Sequence, residues 1–474
     1  MIGCLTLTGC GGARGDADAD PASAMPPSSF VYVEAVVRPE RGQRDAADAL
    51  LERVAGRDDV IDLLIRAIDA GEGPLSYKDD IEPWLGDRIA VGVTGSMPQA
   101  GIVVAAAVRD REAAEAFLAK GTDSGPQTYR GVEYRFDDDT PAGLIGDLLV
   151  LGQTESAFKA AVDAAKGNAL ADDPEFDRKE GELPDERIGL LYGDPAEIAP
   201  QLNAIPEARP FVGLVEELSS AASAVIARED ALVLESGGPS KPGELTVFGL
   251  GGRTELLDEA PGNSATAFGQ PALAEIGRAV LGALPGAEQT VSRTTGIDLE
   301  RDLFSWLGDG MYFDQSPDPN DSRLAVVLEA RDPREARAGI RRALAGLRDA
   351  GFPFRPLRVP GAGEAYVAGN PRAPDAFVVA IADDRVVLAL GLQQAQDAVD
   401  PQDTLESTGA LERARAALGG LEPAYVLDTT MLIDLVRLSL PEQQAALAQP
   451  YLDRLETFAL GEDDDERRYV LKFR

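Results

Sequence analysis

Short apolar runs come in adjacent pairs along this chain. "RIAVGV" is followed, past a turn rich in Gly, Ser and Pro, by "GIVVAAAVRD"; "GMYFDQ" is followed, past "SPDPNDS", by "RLAVVLEARD". Runs joined by such short turns predict antiparallel strands. The Ala-rich stretches "REAAEAFLAK" and "PREARAGIRRAL" predict a helix after each pair. Further on, "DLLVLGQTESAFKAAVDAA" and "DRVVLALGLQQAQDAV" both read as a strand ending in Gly and then a helix. "RIGLLYGDPAEIAPQL" and "PAYVLDTTMLIDLV" read as strand then helix, and "SAVIAREDALVLESG" and "ETFALGEDDDERRYVLKF" as closing hairpins. Val103–Val108 and Phe377–Ile381 are apolar at consecutive positions, which predicts central strands covered on both faces.

The matched segments read as two copies of one unit. The quartet Trp-Leu-Gly-Asp occurs at Trp84–Asp87 and again at Trp306–Asp309, with the only two tryptophans of the chain. The quartets lie 222 positions apart, as do Arg109-Asp110 and Arg331-Asp332. The expected fold class is α+β, as two tandem repeats. Each would be a twisted, mostly antiparallel sheet with helices packed mainly on one face. The expected organisation is a truncated lipoprotein-type leader at 1–10, a flexible acidic tether at 11–28, a first repeat at 29–251 and a second at 252–474.

Ile81, Trp84 and Leu85 stand at helical spacing, and Leu303, Trp306 and Leu307 repeat it. The quartet therefore reads as an anchored helix stop. Its Trp would be buried, and Gly86 and Gly308 would end the helix in the left-handed conformation. Asp87 and Asp309 would bond nearby amides as the chain turns into a strand. A ligand platform of Trp with a neighbouring carboxylate is the functional alternative, and two copies at one structural position weigh against it.

The stretch "GIDLERDLFSWLGDGMYF" followed by "LAVVLEARDPREARAGI" resembles the DUF3352 family of uncharacterised, often secreted or lipid-anchored bacterial proteins. The first half, with "YVEAVVRPE" and "DIEPWLGDRIAVGV", is similar to it too. The resemblance brings no established activity, catalytic residue or cofactor.

The chain has 474 residues, 44% hydrophobic and 27% charged, which suits globular domains with their own cores. Its net charge is −36, and no Lys/Arg cluster stands out, so nucleic acid is not an expected partner. The chain holds no histidine, which removes Ser-His-Asp and Cys-His catalysis and His-ligated zinc. Its two cysteines are Cys4 and Cys10, so the body can form no disulfide and no thiolate metal site.

Leu7-Thr8-Gly9-Cys10 resembles a bacterial lipobox, in which a small residue precedes the cysteine that becomes lipidated. Nine residues, none of them Lys or Arg, precede Cys10, so the leader reads as cut short by a late start codon. The Gly, Ala, Asp, Ser and Pro run after it has the composition of a tether. The expected address is extracytoplasmic, with lipid-anchoring to the cell membrane through Cys10.

Ser156-Ala157-Phe158-Lys159 has the Ser-x-x-Lys spacing of penicillin-binding enzymes, without their companion motifs. Acidic runs at Asp137–Asp139, Asp318–Asp321 and Asp463–Asp465 lack the spacing of a calcium loop and fall at expected hairpin or loop tips. No catalytic, cofactor-binding or metal-binding residues are assigned. The expected function is a non-enzymatic, lipid-anchored binding or structural protein, with a protein or a hydrophobic small molecule as its partner. One alternative is a carrier holding a hydrophobic ligand in a cavity between sheet and helices, lined by Ala, Val and Leu. Another is a hydrolase using carboxylates or the Ser156–Lys159 pair.

Overall fold

In a computed structural model, residues 15–54, 77–95, 100–120, 125–137, 139–202, 221–237, 252–284, 286–316, 318, 322–427, 429, 433, 437, 449, 452–463 and 466–474 are described. The leader with Cys10, and Gly249–Gly251 of the expected linker, lie outside them. The chain divides into two units, Met1–Ala204 with Ala222–Glu229 and Ile205–Ala221 with Asp230–Arg474.

The first unit holds β1 (Ser29–Val36), β2 (Leu85–Thr94), β3 (Gly101–Val108), β4 (Gln127–Tyr129), β5 (Val132–Asp137), β6 (Thr140–Ile145), β7 (Leu148–Gly152), β8 (Gly189–Gly193) and β9 (Ala221–Arg228). They lie in the order β4-β5-β6-β7-β3-β2-β1-β8, every pair antiparallel. Ile188, just before β8, donates to the Val225 carbonyl of β9 at 2.7 Å and brings β9 beside it.

The all-apolar β3 is central and feeds a core on each face, as a strand with no polar face must. Val103, Ala105 and Ala107 pack with Phe158, Ala161 and Val162 of the helix Glu155–Ala165. Ala106 and Val108, pointing the other way, pack with Trp84, and with Ala114 and Phe117 of the helix Arg111–Lys120. Helices thus cover both faces, which corrects the expectation of mainly one. Side-chain oxygens start them: Asp110 accepts from Ala113 N at 3.0 Å and Thr154 from Ala157 N at 3.2 Å.

The second unit holds β10 (Ala231–Gly237), β11 (Thr266–Gln270), β12 (Leu307–Asp314), β13 (Leu324–Ala330), β14 (Phe354–Leu357), β15 (Glu364–Ala368), β16 (Phe377–Ile381), β17 (Arg385–Leu390), β18 (Glu422–Leu427), β19 (Leu455–Glu462) and β20 (Glu466–Phe473). Their order is β14-β15-β16-β17-β13-β12-β11-β18-β19-β20-β10, again all antiparallel. Through β19 this is the order of the first unit, strand for strand. Here too the central strand feeds two cores. Ala325 and Val327 pack with Ala395 and Ala398 of the helix Leu392–Val399. Leu328 and Ala330 pack with Trp306 and with Ala336, Ile340 and Leu344 of the helix Pro333–Asp349. The class is α+β, with large antiparallel sheets. β10, read from sequence as the end of the first repeat, pairs along its length with β20, Leu234 opposite Tyr469.

The acidic runs that are described sit in turns. Asp137 faces Thr140 where β5 meets β6, and Asp463 Oδ1 accepts from Glu466 N at 2.9 Å between β19 and β20.

Residues 15–28 are not a flexible tether. Asp20 caps a turn of 3-10 helix at Pro21–Ala24, accepting from Ala22 N at 3.0 Å. Ala22, Ala24 and Met25 are buried in the core of the first unit. The Met25 carbonyl accepts from Leu170 N at 2.8 Å, and the Ala17 carbonyl from Asp87 N at 2.7 Å. The segment has the Ala, Asp and Pro composition of a tether, but its Ala22, Ala24 and Met25 have a place in the core. An equivalent turn, Glu255–Glu259, precedes β11 and buries Leu257.

Candidate functional site

The two Trp-Leu-Gly-Asp segments have one geometry. A short π-helical turn, Tyr77–Ile81 or Glu300–Phe304, precedes each. Trp84 and Trp306 follow and are 5% and 0% exposed. The indole Nε1 donates to the carbonyl four residues back, Trp84 to Asp80 and Trp306 to Asp302, both at 2.8 Å. The Trp carbonyls accept from Arg109 N and Arg331 N, both at 2.9 Å. Each Trp is thus held at its ring and its backbone, as a buried indole requires.

Leu85 and Leu307 do not continue a helix; they open β2 and β12, opposite Val108 and Ala330. The register then slips between Leu85 and Ile89 and between Leu307 and Gly310. Gly86 and Gly308 fall within these bulges. Neither is among the glycines with positive φ, so the left-handed helix stop is corrected to a glycine in a bulge. What requires glycine is close approach. A Cβ on Gly86 would lie 2.5 Å from the Ala17 carbonyl oxygen, and one on Gly308 would overlap the Glu329 carboxylate. The following amides meet those same groups: Asp87 N donates to Ala17 O at 2.7 Å, and Asp309 N to Glu329 Oε2 at 3.0 Å. Asp309 accepts from Ala272 N at 3.0 Å, while Asp87 lies 3.5 Å from Arg38.

The chemistry near the Trp residues was missed in sequence. Lys120 reaches Asp80 at 2.8 Å, and Arg342 reaches Asp302 at 2.6 Å. Lys120 and Arg342 are also 222 positions apart, and that offset, carried forward from the quartets, could have found them. Asp302 is buried and also accepts from Arg301 and from Asp298 N. Burial alone would raise its carboxyl; the hydrogen bonds from Arg301, Arg342 and Asp298 outweigh it and hold the group at about 2. A carboxylate so paired fixes a helix to a turn and is a poor proton acceptor at neutral pH. A second buried ion cluster lies in the first unit. Arg88 reaches buried Glu34 at 2.7 Å, and the Tyr32 hydroxyl donates to the same carboxylate. Burial, then the charge of Glu34, pushes the Tyr32 hydroxyl well up.

The Ser-x-x-Lys spacing makes no nucleophile. Ser156 is exposed, and Lys159 bonds Glu155 at 2.7 Å with its ammonium over the Tyr129 ring. The Glu155 bond raises the lysine, opposite to what a general base needs. Among the described residues no group of three or more His, Cys, Asp or Glu side chains is disposed to hold a metal ion. No helix among them is long and apolar enough to cross a membrane. Three surface cavities are lined mainly by polar side chains, unlike the Ala, Val and Leu lining expected of an apolar carrier. One of about 550 Å³ is lined by Glu288, Gln289, Ser292 and Arg293, with Ile297 and Leu299. One of about 520 Å³ lies among Arg253, Glu259, Asp309, Glu329 and Arg385. A third of about 430 Å³ lies among Asn263, Gln393, Asp397 and Asp403.

Residues 66–352 match the model of a family described as "Protein of unknown function (DUF3352)". No curated protein matches the chain. Solved structures of TP0453 are distantly similar. Crystal form I is 12% identical, covering 48% of this chain and 81% of that one with a TM-score of 0.26. Crystal form IV is 14% identical, covering 47% and 81% with a TM-score of 0.28. At such scores the likeness carries nothing about fold or function.

Proposed function

The chain belongs to the DUF3352 family, and from that premise we propose a non-enzymatic, lipid-anchored extracytoplasmic protein, a binding or structural module built by tandem duplication. The observation that carries the address is Leu7-Thr8-Gly9-Cys10, a small residue before a cysteine in a chain with no cysteine in its body. Its lipid tethers the protein to the cell membrane, and its partner is a protein or a hydrophobic small molecule rather than nucleic acid. The residues with most chemical promise support the non-enzymatic reading by their roles. Asp302 is locked by two arginines, and Lys159 is held charged by Glu155.

The duplication is supported by the shared strand order. It is also supported by three relationships at one offset of 222: the Trp–Asp bond, the basic residue on that Asp, and the amide received by the Trp carbonyl.

The test of the address is metabolic labelling with palmitate of the protein expressed behind its own upstream sequence. Label and membrane sedimentation are expected in the parent and lost in Cys10→Ser. Equal labelling of both, or none in the parent, overturns the reading.

A further inference from the structure

The packed N-terminal segment bears on which face of the first unit meets the membrane. Gly15 lies against Val108, where a Cβ would overlap the Val108 carbonyl. Ala17 lies on Gly86 and is bonded by Asp87 N. These contacts fall at one end of the sheet, where β2 begins, β3 ends and β7 begins, Leu85 facing Val108 and Ala107 facing Leu148. The opposite end is marked by Thr94 facing Gly101 and Val103 facing Gly152.

Only Gly11, Gly12, Ala13 and Arg14 stand between Cys10 and Gly15. Fully extended, that leash spans about 17 Å. We infer that the end of the first unit around Gly15, Val108 and Asp147 rests at the lipid headgroups, with the protein docked close against the bilayer. This rests on lipidation of Cys10. Arg109 donates to the Pro83 carbonyl and, at 2.5 Å, to that of Glu82, so its charge meets carbonyl dipoles. Arg111 donates to the Gly146 carbonyl at 2.9 Å and Arg38 to the Leu85 carbonyl at 2.7 Å. Arg38 and Arg111 are ion-paired there as well, with Asp87 at 3.5 Å and Glu115 at 3.2 Å, so the placement rests on the length of the leash and not on charge.

The dock is particular to the first unit. The position equivalent to Ala107 in the second unit, 222 residues on, is Glu329, and its carboxylate takes the Asp309 amide. Ala107 leaves open the space that Ala17 fills, 2.8 Å from a Cβ on Gly86.

The experiment uses the full lipidated chain in phosphatidylcholine vesicles carrying a headgroup quencher. With the leader that holds Cys4 removed and Cys10 occupied by lipid, a fluorophore goes on one introduced cysteine, Asp147→Cys at the near end or Ser156→Cys at the far end; both positions are exposed. Quenching several-fold stronger at 147 than at 156 is expected. Equal or reversed quenching in a protein that still carries palmitate at Cys10 overturns this inference and leaves the anchor standing. Absence of palmitate at Cys10 removes both. Ala107→Glu, which offers a carboxylate to Asp87 N and displaces Ala17, is expected to reduce quenching at 147 with lipidation unchanged. A Gly-Ser insertion between Gly12 and Ala13 should do the same without touching the fold. Quenching at 147 undiminished by that insertion counts against the leash.

Discussion

The indole Nε1 of Trp306 donates to the carbonyl of Asp302 at 2.8 Å, while the Asp302 carboxylate takes Arg342 at 2.6 Å. One aspartate thus holds the core tryptophan with its backbone and a long helix with its side chain. Trp306→Ala empties the largest fully buried side chain of the protein and is expected to cost about 3–5 kcal/mol. Trp84→Ala, at a ring tilted 36° to that of Phe117 with centroids 5.3 Å apart, should cost a similar amount. Urea melts of both variants measure it; a loss under about 1 kcal/mol would sink the anchoring role.

The carboxyl of Asp302 lies below its unfolded value, so it contributes stability above pH ~4, lost as pH falls towards about 2. Asp302→Asn should therefore be less stable than the parent at neutral pH by about 2 kcal/mol. The gap between the two should narrow as pH falls from about 4 to about 2. Chemical melts of parent and variant across that range check the sign; a gap that widens with acid refutes it.

Gly339 sits in the helix Pro333–Asp349, where alanine would ordinarily be the better residue. A Cβ there would lie 2.8 Å from Trp306 Nε1 and overlap the Asp302 carbonyl. Gly339→Ala is expected to destabilise by about 1–3 kcal/mol. Gly42, in the helix Arg41–Val54, has nothing within 4 Å of a Cβ, so Gly42→Ala should gain about 0.5–1 kcal/mol. Thermal melts of the two variants should move in opposite directions.

The strand pairs were legible because alternation and short turns are local signals, and β2–β3 and β12–β13 follow from them alone. The all-apolar β3 and β16 announced central strands for the same reason. The shared offset of Trp84 and Trp306 located the equivalent core positions. What local pattern could not show was close approach. The need for glycine at Gly86 comes from Ala17, and at Gly308 from Glu329, contacts distant in sequence. Residues 15–28 read as a tether because Ala22, Ala24 and Met25 show no periodicity; only the core they fill gives them order.

Ser156→Ala should leave stability within about 0.5 kcal/mol, since Ser156 is exposed and Lys159 is engaged with Glu155. A serine-reactive fluorophosphonate should not label the parent. Labelling of the parent that disappears in Ser156→Ala would revive the hydrolase reading.

Met25 carries the last prediction, because it separates a tether from a folded part of the first unit. Its side chain is fully buried, and its sulfur sits against Gly92, where a Cβ would approach it to 2.7 Å. A residue in a tether can be cut back to alanine at no cost. In this site Met25→Ala opens a cavity among Ala22, Tyr32 and Phe158, and the expected loss is about 2–4 kcal/mol. Limited proteolysis reads the same difference. The bond between Ala22 and Ser23 should resist elastase in the parent and open in Met25→Ala. Equal cleavage of parent and variant there, with unchanged urea midpoints, would return residues 15–28 to the role of a tether.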